Sequence, residues 1–249
     1  MLAEERHALI LDLVNQQGNV KLTELCSRLH ASQSTIRRDL LELSEQGLLT
    51  KVHGGAISRN ERFFPVEHNM EEKANLYIAE KTAIARYAAS LLEEGDFVYL
   101  DAGTSTEAMI PFIKETQAVF VTNAISHAKL LAEKGCRVYL LGGEFKSQTE
   151  AIVGEEAMEM LSKYNFTKGF WGTNGISVSK GYSTPEIKEA MVKKYSMKNC
   201  KRCYILADAS KFDQLSSVKF ADFEQATILT TELHKPALKK YKNIVEVKE

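Results

Sequence analysis

The chain lacks an excess of either charge, any long apolar run, and a second partner for its one C-x-x-C pair. Lysine and arginine number 32 against 33 aspartate and glutamate, leaving a net charge of −1. A whole-chain polycation is excluded, so any nucleic-acid surface has to be local. The longest apolar stretches are strand-sized, and no membrane span is expected. The opening Met1-Leu2-Ala3-Glu4-Glu5 is acidic and has no apolar signal core. Cys26, Cys136, Cys200 and Cys203 are therefore expected as reduced thiols in a cytoplasmic protein. Cys200-Lys-Arg-Cys203 lacks a second pair at zinc-ligand spacing. It also runs from a helical segment into a strand, whereas a redox motif opens a helix after a strand. No metal site and no cofactor is expected.

What is present is ordinary globular material: 249 residues, 44 % hydrophobic and 26 % charged. That length suits a small domain followed by a medium one. In residues 4–17, Leu9, Ile10, Leu13 and Val14 recur at helical spacing before Gly18. A second short helix covers 22–29, with Leu22, Leu25 and Leu29 inward. Ser32 is a good N-cap for a third helix over 33–46, which stops at Gly47. At 100° per residue, Ile36, Leu40 and Leu43 form one stripe, while Ser34, Arg37, Arg38 and Leu41 face away. Two short helices, a tight turn and outward Arg and Ser near the start of the third make a helix-turn-helix plan. Arginine pairs with guanine O6 and N7, and Ser or Gln, here including Gln33, reach bases or phosphates. Residues 48–57 alternate and then meet Gly54-Gly55, as in a two-stranded wing that brings Lys51 and His53 to the phosphate backbone. The bland alternative is a helical hairpin packed on a larger domain, with Arg38 and Glu42 as a surface pair.

Residues 58–74 are polar, contain Pro65 and break every periodicity, so they read as a linker, with Phe63 and Phe64 as docking groups. From residue 75 to 249 helices and strands alternate. A helix is expected over 80–96. Strands are expected at 97–100, 118–122, 137–141, 168–172, 203–206, 226–230 and 244–247. Helical segments at 105–115, 125–134, 154–163, 184–199 and 235–242 lie among them, and Pro111 limits the first. This alternation means an α/β fold with a mostly parallel sheet covered on both faces.

Ligands of such sheets gather beyond the carboxyl ends of the strands. The polar residues collect there: Asp101, Gly103, Thr104, Ser105 and Thr106; Thr122 and Asn123; Gly142 and Gly143; Gly172, Asn174 and Gly175; Asp208 and Lys211. The stretch Asp101-Ala-Gly-Thr-Ser-Thr106 has the look of a phosphate loop. Each group is also common turn chemistry. Among the lysines, Lys211 and Lys188 are candidate phosphate partners, and Lys193 reads as a solvated helix lysine.

Residues 32–56, with S-x-x-T-I-R-R-D-L, L-x-x-x-G-L-L and H-G-G-A, closely resemble the N-terminal winged helix of the DeoR family of bacterial sugar-operon regulators. Residues 75–249 resemble that family's sensor domain through D-A-G-T-S-T, V-T-N-A, L-L-G-G, G-T-N-G-I-S and A-D-A-S-K. That domain is similar in fold to ribose-5-phosphate isomerase and the CoA-transferase group. The resemblance implies three segments: a DNA-binding domain over 1–57, a linker over 58–74 and a sugar-phosphate sensor over 75–249. It implies Ser34, Thr35, Arg37 and Arg38 as contacts to double-stranded operator DNA. It also implies a phosphorylated sugar as effector, fructose 1-phosphate first and tagatose 6-phosphate second, and a homodimer or homotetramer. A sugar-phosphate isomerase with a helical appendage is the competing reading. It needs a positioned base, and the candidates Asp101, Glu144, Glu186 and Asp208 do not form the acidic cluster associated with the isomerase signature. No catalytic residue is expected.

Overall fold

A computed structural model describes residues 2–17, 19–58, 62–63, 73, 76–231, 233 and 238–248. The chain divides into two compact units, Met1–Arg62 and Phe63–Glu249. Most of the linker expected over 58–74, with Phe64 and Pro65, lies outside the described residues. So does the first part of the helix expected over 235–242.

The first unit runs α1 (Ala3–Gln17), β1 (Asn19–Lys21), α2 (Leu22–Leu29), α3 (Gln33–Glu45), β2 (Leu49–Val52) and β3 (Gly55–Ser58). The chain reverses between α2 and α3 through His30, whose left-handed φ of 49° ends α2. Ser32 Oγ then accepts the Thr35 amide at 3.2 Å and caps α3. Ile10, Val14, Leu25, Ile36, Leu40 and Leu43 pack into one core with Leu49 and Ala56. Each fully buried aliphatic side chain contributes about 1.5–3 kcal/mol to holding the helices together. β2 and β3 form the antiparallel wing, and β1 adds a third strand against β3. That strand is only three residues long, so no alternation betrays it in the sequence.

β4 (Arg62–Phe63) precedes the second unit's first helix, α4 (Ile78–Ser90). There follow β5 (Phe97–Leu100), α5 (Thr104–Glu107), β6 (Val119–Thr122), α6 (Ile125–Glu133), β7 (Arg137–Leu140), β8 (Glu144–Lys146), β9 (Ala151–Val153) and α7 (Glu155–Ser162). The chain continues with β10 (Phe166–Gly172), β11 (Gly175–Ser177), β12 (Gly181–Thr184), α8 (Ile187–Lys198), β13 (Cys200–Leu206), β14 (Gln214–Leu215), β15 (Val218–Ala221), β16 (Thr227–Thr230) and β17 (Ile244–Glu246).

Seven of these strands form one parallel sheet in the order β17-β16-β13-β10-β5-β6-β7. Alternate residues feed opposite cores, as the period of a strand requires. Tyr99, Trp171, Ile205 and Ile228 join α7 and α8 on one face. Val98, Leu100, Phe170, Leu206 and Leu229 join α4 and α6 on the other. All seven strands were expected. Two small antiparallel additions were not: the β8–β9 hairpin and the β11-β12-β15 sheet. Pro111 sits in a single 3₁₀ turn, Ile110–Phe112, so the helix expected over 105–115 is cut to α5 and that turn. Cys200 and Cys203 both lie on β13. No helix among the described residues is long and apolar enough to cross a membrane.

Candidate functional site

Successive strands run outward in two directions from the middle of the sheet, β5 to β7 one way and β10 to β17 the other. β5 and β10 are therefore neighbours at a topological switch point, where the loops beyond the strand ends separate and leave a crevice. A cavity opens there, lined by Asp101, Gly103, Thr104, Ser105, Asn123, Gly172, Asn174, Asp208 and Lys211 of the expected residues.

The floor is ionic. Asp101 is buried and is held by the Lys193 ammonium, which reaches it from α8 and also donates to the Gly172 carbonyl at 3.3 Å. The Gly172 amide donates to Asp101 Oδ2 at 3.3 Å. Burial pushes the Asp101 carboxyl up, and the Lys193 ammonium only partly opposes it. Beside it Glu189, also on α8, accepts from Lys146 Nζ at 2.8 Å and from the Thr149 hydroxyl. Burial pushes the Glu189 carboxyl up, but Lys193, Lys146 and Thr149 bring it below the usual range.

The loop above is built from its own backbone. Gly103 has φ 151°, which no other residue adopts easily, and a Cβ there would meet nothing closer than Thr106 Oγ1 at 3.7 Å. Backbone conformation, not space, demands glycine. The Thr106 hydroxyl donates to the carbonyls of Asp101 and Gly103, each at 2.7 Å. Asn123 Oδ1 accepts from Tyr99 OH at 3.1 Å and from the Ala102 amide at 2.8 Å, and its Nδ2 donates to the Ile152 carbonyl at 3.2 Å. Asn123 is thus a strut for the loop. Thr104 and Ser105 open the short helix α5 at the cavity wall, and Lys81 Nζ donates to Thr104 Oγ1 at 3.2 Å. Also lining the cavity, Asp208 accepts through Oδ1 from the Ser210 amide at 2.9 Å and from the Ser210 hydroxyl. Asp208 Oδ2 is buried with no hydrogen-bond partner among the described residues.

Six expected residues stand elsewhere. Thr106 and Thr122 are buried, and their hydroxyls serve the backbone; Thr122 Oγ1 accepts the Ala124 amide at 3.1 Å. Gly142 and Gly143 belong to the turn into β8. A Cβ on Gly143 would lie 2.5 Å from the Val153 carbonyl, so its glycine serves strand packing. Gly175 opens β11. Lys188 is exposed and paired with Glu144 at 2.5 Å. Lys193, read from sequence as a solvated helix lysine, is instead the lysine of that helix that lines the cavity. Lys73, Lys81, Thr149, Thr173 and Glu189 line it too and were not singled out. α8 presents Glu189 and Lys193 on one side at i,i+4 spacing, and that spacing was the available signal.

The first unit offers a second surface. Gln33, Ser34, Arg37 and Arg38 are exposed along α3, Thr35 is half-buried at its cap, and Lys51 and His53 are exposed on the wing. Asp39, on the same helix, points inward. It accepts from Arg6 at 2.6 and 3.0 Å and faces His7 Nε2 at 3.1 Å. Burial pushes its carboxyl up, and the Arg6 and His7 contacts bring it net below the usual range.

Comparison with known proteins bears on both surfaces. The family description "DeoR-like helix-turn-helix domain" matches residues 6–62, and "DeoR C terminal sensor domain" matches residues 77–233. A Bacillus subtilis (strain 168) protein named "Uncharacterized HTH-type transcriptional regulator FruR" is 43 % identical over 249 residues, covering 100 % of this chain and 98 % of its own. The lactose phosphotransferase system repressor of Streptococcus mutans is 37 % identical over 235 residues, covering 93 % of each chain. Among solved structures, ribose 5-phosphate isomerase A from Neisseria gonorrhoeae superposes with TM-score 0.41 at 14 % identity, over 58 % of this chain and 56 % of that one.

Proposed function

The chain belongs to the DeoR family of transcriptional regulators, and from that premise we propose that it represses a sugar-utilisation operon and lets go of its operator when a phosphorylated sugar fills the sheet-domain cavity. The observation that carries the effector reading is the lining. Thr104 and Ser105 stand at an opened loop, with Lys73, Lys81, Lys193 and Lys211 outnumbering Asp101, Glu189 and Asp208. A phosphate monoester is the small-molecule group that such a set neutralises best. Asp208 Oδ2, without a hydrogen-bond partner among the described residues, supplies an acceptor for a sugar hydroxyl. The relatives are regulators, and the chain is not an isomerase. Of the bases that reading needs, Glu144 is exposed and paired with Lys188, and Glu186 caps α8 by accepting the amides of Lys188 and Glu189.

Operator DNA is read by Ser34, Thr35, Arg37 and Arg38, with Gln33, Lys51 and His53 on or near the phosphates. A homodimer or homotetramer sets two winged helices on repeated half-sites, and effector binding favours an arrangement that spaces them poorly, which requires a few kcal/mol of coupling. Fructose 1-phosphate is the first effector to test, because the run from Gly172 to Pro185 resembles fructose-type members. Tagatose 6-phosphate is second, in view of the lactose-system repressors among the relatives. Thermal shift against a panel of sugar phosphates, followed by operator binding with and without the hit, tests the reading. It fails if no phosphorylated sugar raises the melting temperature while a free sugar does.

A further inference from the structure

Cys200 and Cys203 line a different cavity from the one described above. Strand parity alone sends residues three apart to opposite faces. Here the edge of the sheet brings them together. β13 pairs with β10 from Cys200 onward, but β16 joins it only at Tyr204. The Asn199 carbonyl accepts the Phe166 amide at 2.8 Å and so points towards β10. Carbonyls alternate along a strand, so those of Cys200 and Arg202 point to the side that β16 does not yet cover. Both thiols turn to these carbonyls. Cys200 Sγ donates to the Arg202 carbonyl at 3.3 Å. Cys203 Sγ is held more loosely, 3.7 Å from the Met197 carbonyl and 3.8 Å from that of Cys200. Both cysteines are reduced and partly exposed. The contact between the two sulfurs, with burial, pushes the Cys200 thiol up; the same contact draws the Cys203 thiol down against its own burial. Their cavity measures about 620 Å³, within the range of small-molecule sites. It is lined by Lys194 and Lys198 from α8, Lys201 from β13 and Lys219 from β15, all exposed. One carboxylate, Asp222, stands against these four, paired with Lys219. A partly exposed thiol in an electropositive setting is a reactive one.

We propose that Cys203 is a modification site that takes up an anionic low-molecular-weight disulfide as a mixed disulfide, with the four lysines receiving the reagent's carboxylates. The Cys203 sulfur attacks as the thiolate on one sulfur of the reagent. A bond forms between the two, the reagent's own S–S bond breaks, and its other half leaves as a thiolate with the electron pair. The proton given up by Cys203 ends on that leaving thiolate. The cysteine is oxidised, the reagent is reduced, and the atoms balance. Cys203 attacks rather than Cys200 because Cys200 keeps its proton on the shorter contact with the Arg202 carbonyl. An internal disulfide is not the product. Residues three apart on an extended strand stand about 10 Å apart at Cα, beyond the roughly 7 Å that a disulfide spans. The ammonium groups raise the local concentration of a negative reagent and disfavour a positive one.

The test exposes the full reduced chain to oxidised glutathione, which is negative, and in parallel to cystamine, a disulfide that carries ammonium groups instead. Peptide mass spectrometry locates the adduct in the wild type itself, so the result does not depend on the folding of a variant. Each rate is divided by that of the urea-unfolded chain, which removes the intrinsic difference between the reagents. Cys203 is expected to gain one glutathione, removable by dithiothreitol, before Cys26 or Cys200 reacts. The native-to-unfolded ratio should be about tenfold larger for glutathione than for cystamine, and added salt should shrink that difference. Lys198→Met combined with Lys201→Met should slow the glutathione reaction about tenfold without slowing cystamine. The proposal is overturned if Cys203 gains no adduct or if Cys200 or Cys26 reacts first. It is equally overturned if the pair loses two hydrogens with no added mass, or if the two reagents give the same ratio.

Discussion

The Lys193 ammonium closes on the Asp101 carboxylate across 92 residues of chain, and both groups are buried. The pair joins α8 to the end of β5 at the switch point of the sheet. Lys193→Met keeps the aliphatic bulk but strands a buried carboxylate, at a cost of about 3–5 kcal/mol. The deficit has a pH signature. Burial already raises the Asp101 carboxyl above its ordinary value, and loss of Lys193 raises it further. Between the unfolded and folded pKa values the native state holds more protons, so stability falls as pH rises through that window. Urea unfolding should show Lys193→Met closest to wild type at acid pH, where Asp101 is protonated, and furthest from it once the pH exceeds the raised folded value. A deficit that does not vary with pH would mean that Asp101 is not the group left unpaired.

Arg37 and Asp39 stand two positions apart on α3 and should fail in different ways. Arg37 is exposed, so Arg37→Ala is expected to leave melting unchanged and to weaken operator binding by roughly 1–3 kcal/mol. Asp39→Ala removes the acceptor of two Arg6 bonds and of the His7 contact. It should destabilise the first unit by about 2–4 kcal/mol while effector binding by the second unit stays intact. Calorimetry of each variant beside operator titrations separates the two. Operator affinity unaffected by Arg37→Ala would remove that residue from the recognition surface.

What could be read from the sequence followed periodicity. The third helix with its outward arginines, and the seven sheet strands, announce themselves through spacing and through apolar runs that both faces of the sheet require. β1 and the β8–β9 hairpin do not, because three residues show no alternation. In the cavity, residues at strand ends were legible because a parallel sheet gathers its loops on one rim. The lysines were not. Lys188 and Lys193 differ by five positions on one helix, which turns them to different sides, and α8 has no clear apolar stripe to say which side is inward. Lys73 and Lys81 enter from a segment outside the strand-end rule. Thr106, Thr122 and Asn123 look like ligand groups in sequence, and each spends hydrogen-bonding capacity on nearby backbone.

His127, fully buried on α6, lies behind the loop at 103–107. Its Nε2 is 3.6 Å from the Glu107 carboxylate, and neither ring nitrogen has a hydrogen-bond partner among the described residues. Burial pulls its pKa to about 4, with the Gly103 backbone pulling weakly the other way. The folded value is below the unfolded one, so the unfolded state takes up a proton first as pH falls. Stability should therefore drop between about pH 6.5 and pH 4, by an amount on the order of 3 kcal/mol at most. His127→Phe should flatten the stability profile across that window. An unchanged acid slope would assign the loss to the carboxylates instead.

Thr104 is the residue at which effector response should be separable from operator binding. Its hydroxyl faces the cavity and accepts from Lys81. Thr104→Ser keeps that oxygen and is expected to respond to effector like the wild type. Thr104→Glu places a carboxylate where the phosphate is proposed to sit and gives Lys81 a permanent counter-ion. Two like charges about 4 Å apart repel by about 4 kcal/mol at an effective dielectric near 20, enough to lower phosphate affinity about a thousandfold. The α3 surface belongs to the other unit, so operator affinity without effector should match the wild type. The measurement is fluorescence anisotropy on operator DNA with rising concentrations of the sugar phosphate found by thermal shift. Wild type and Thr104→Ser should dissociate, and Thr104→Glu should stay bound throughout. If Thr104→Glu dissociates at wild-type effector concentrations, the phosphate does not bind at this loop.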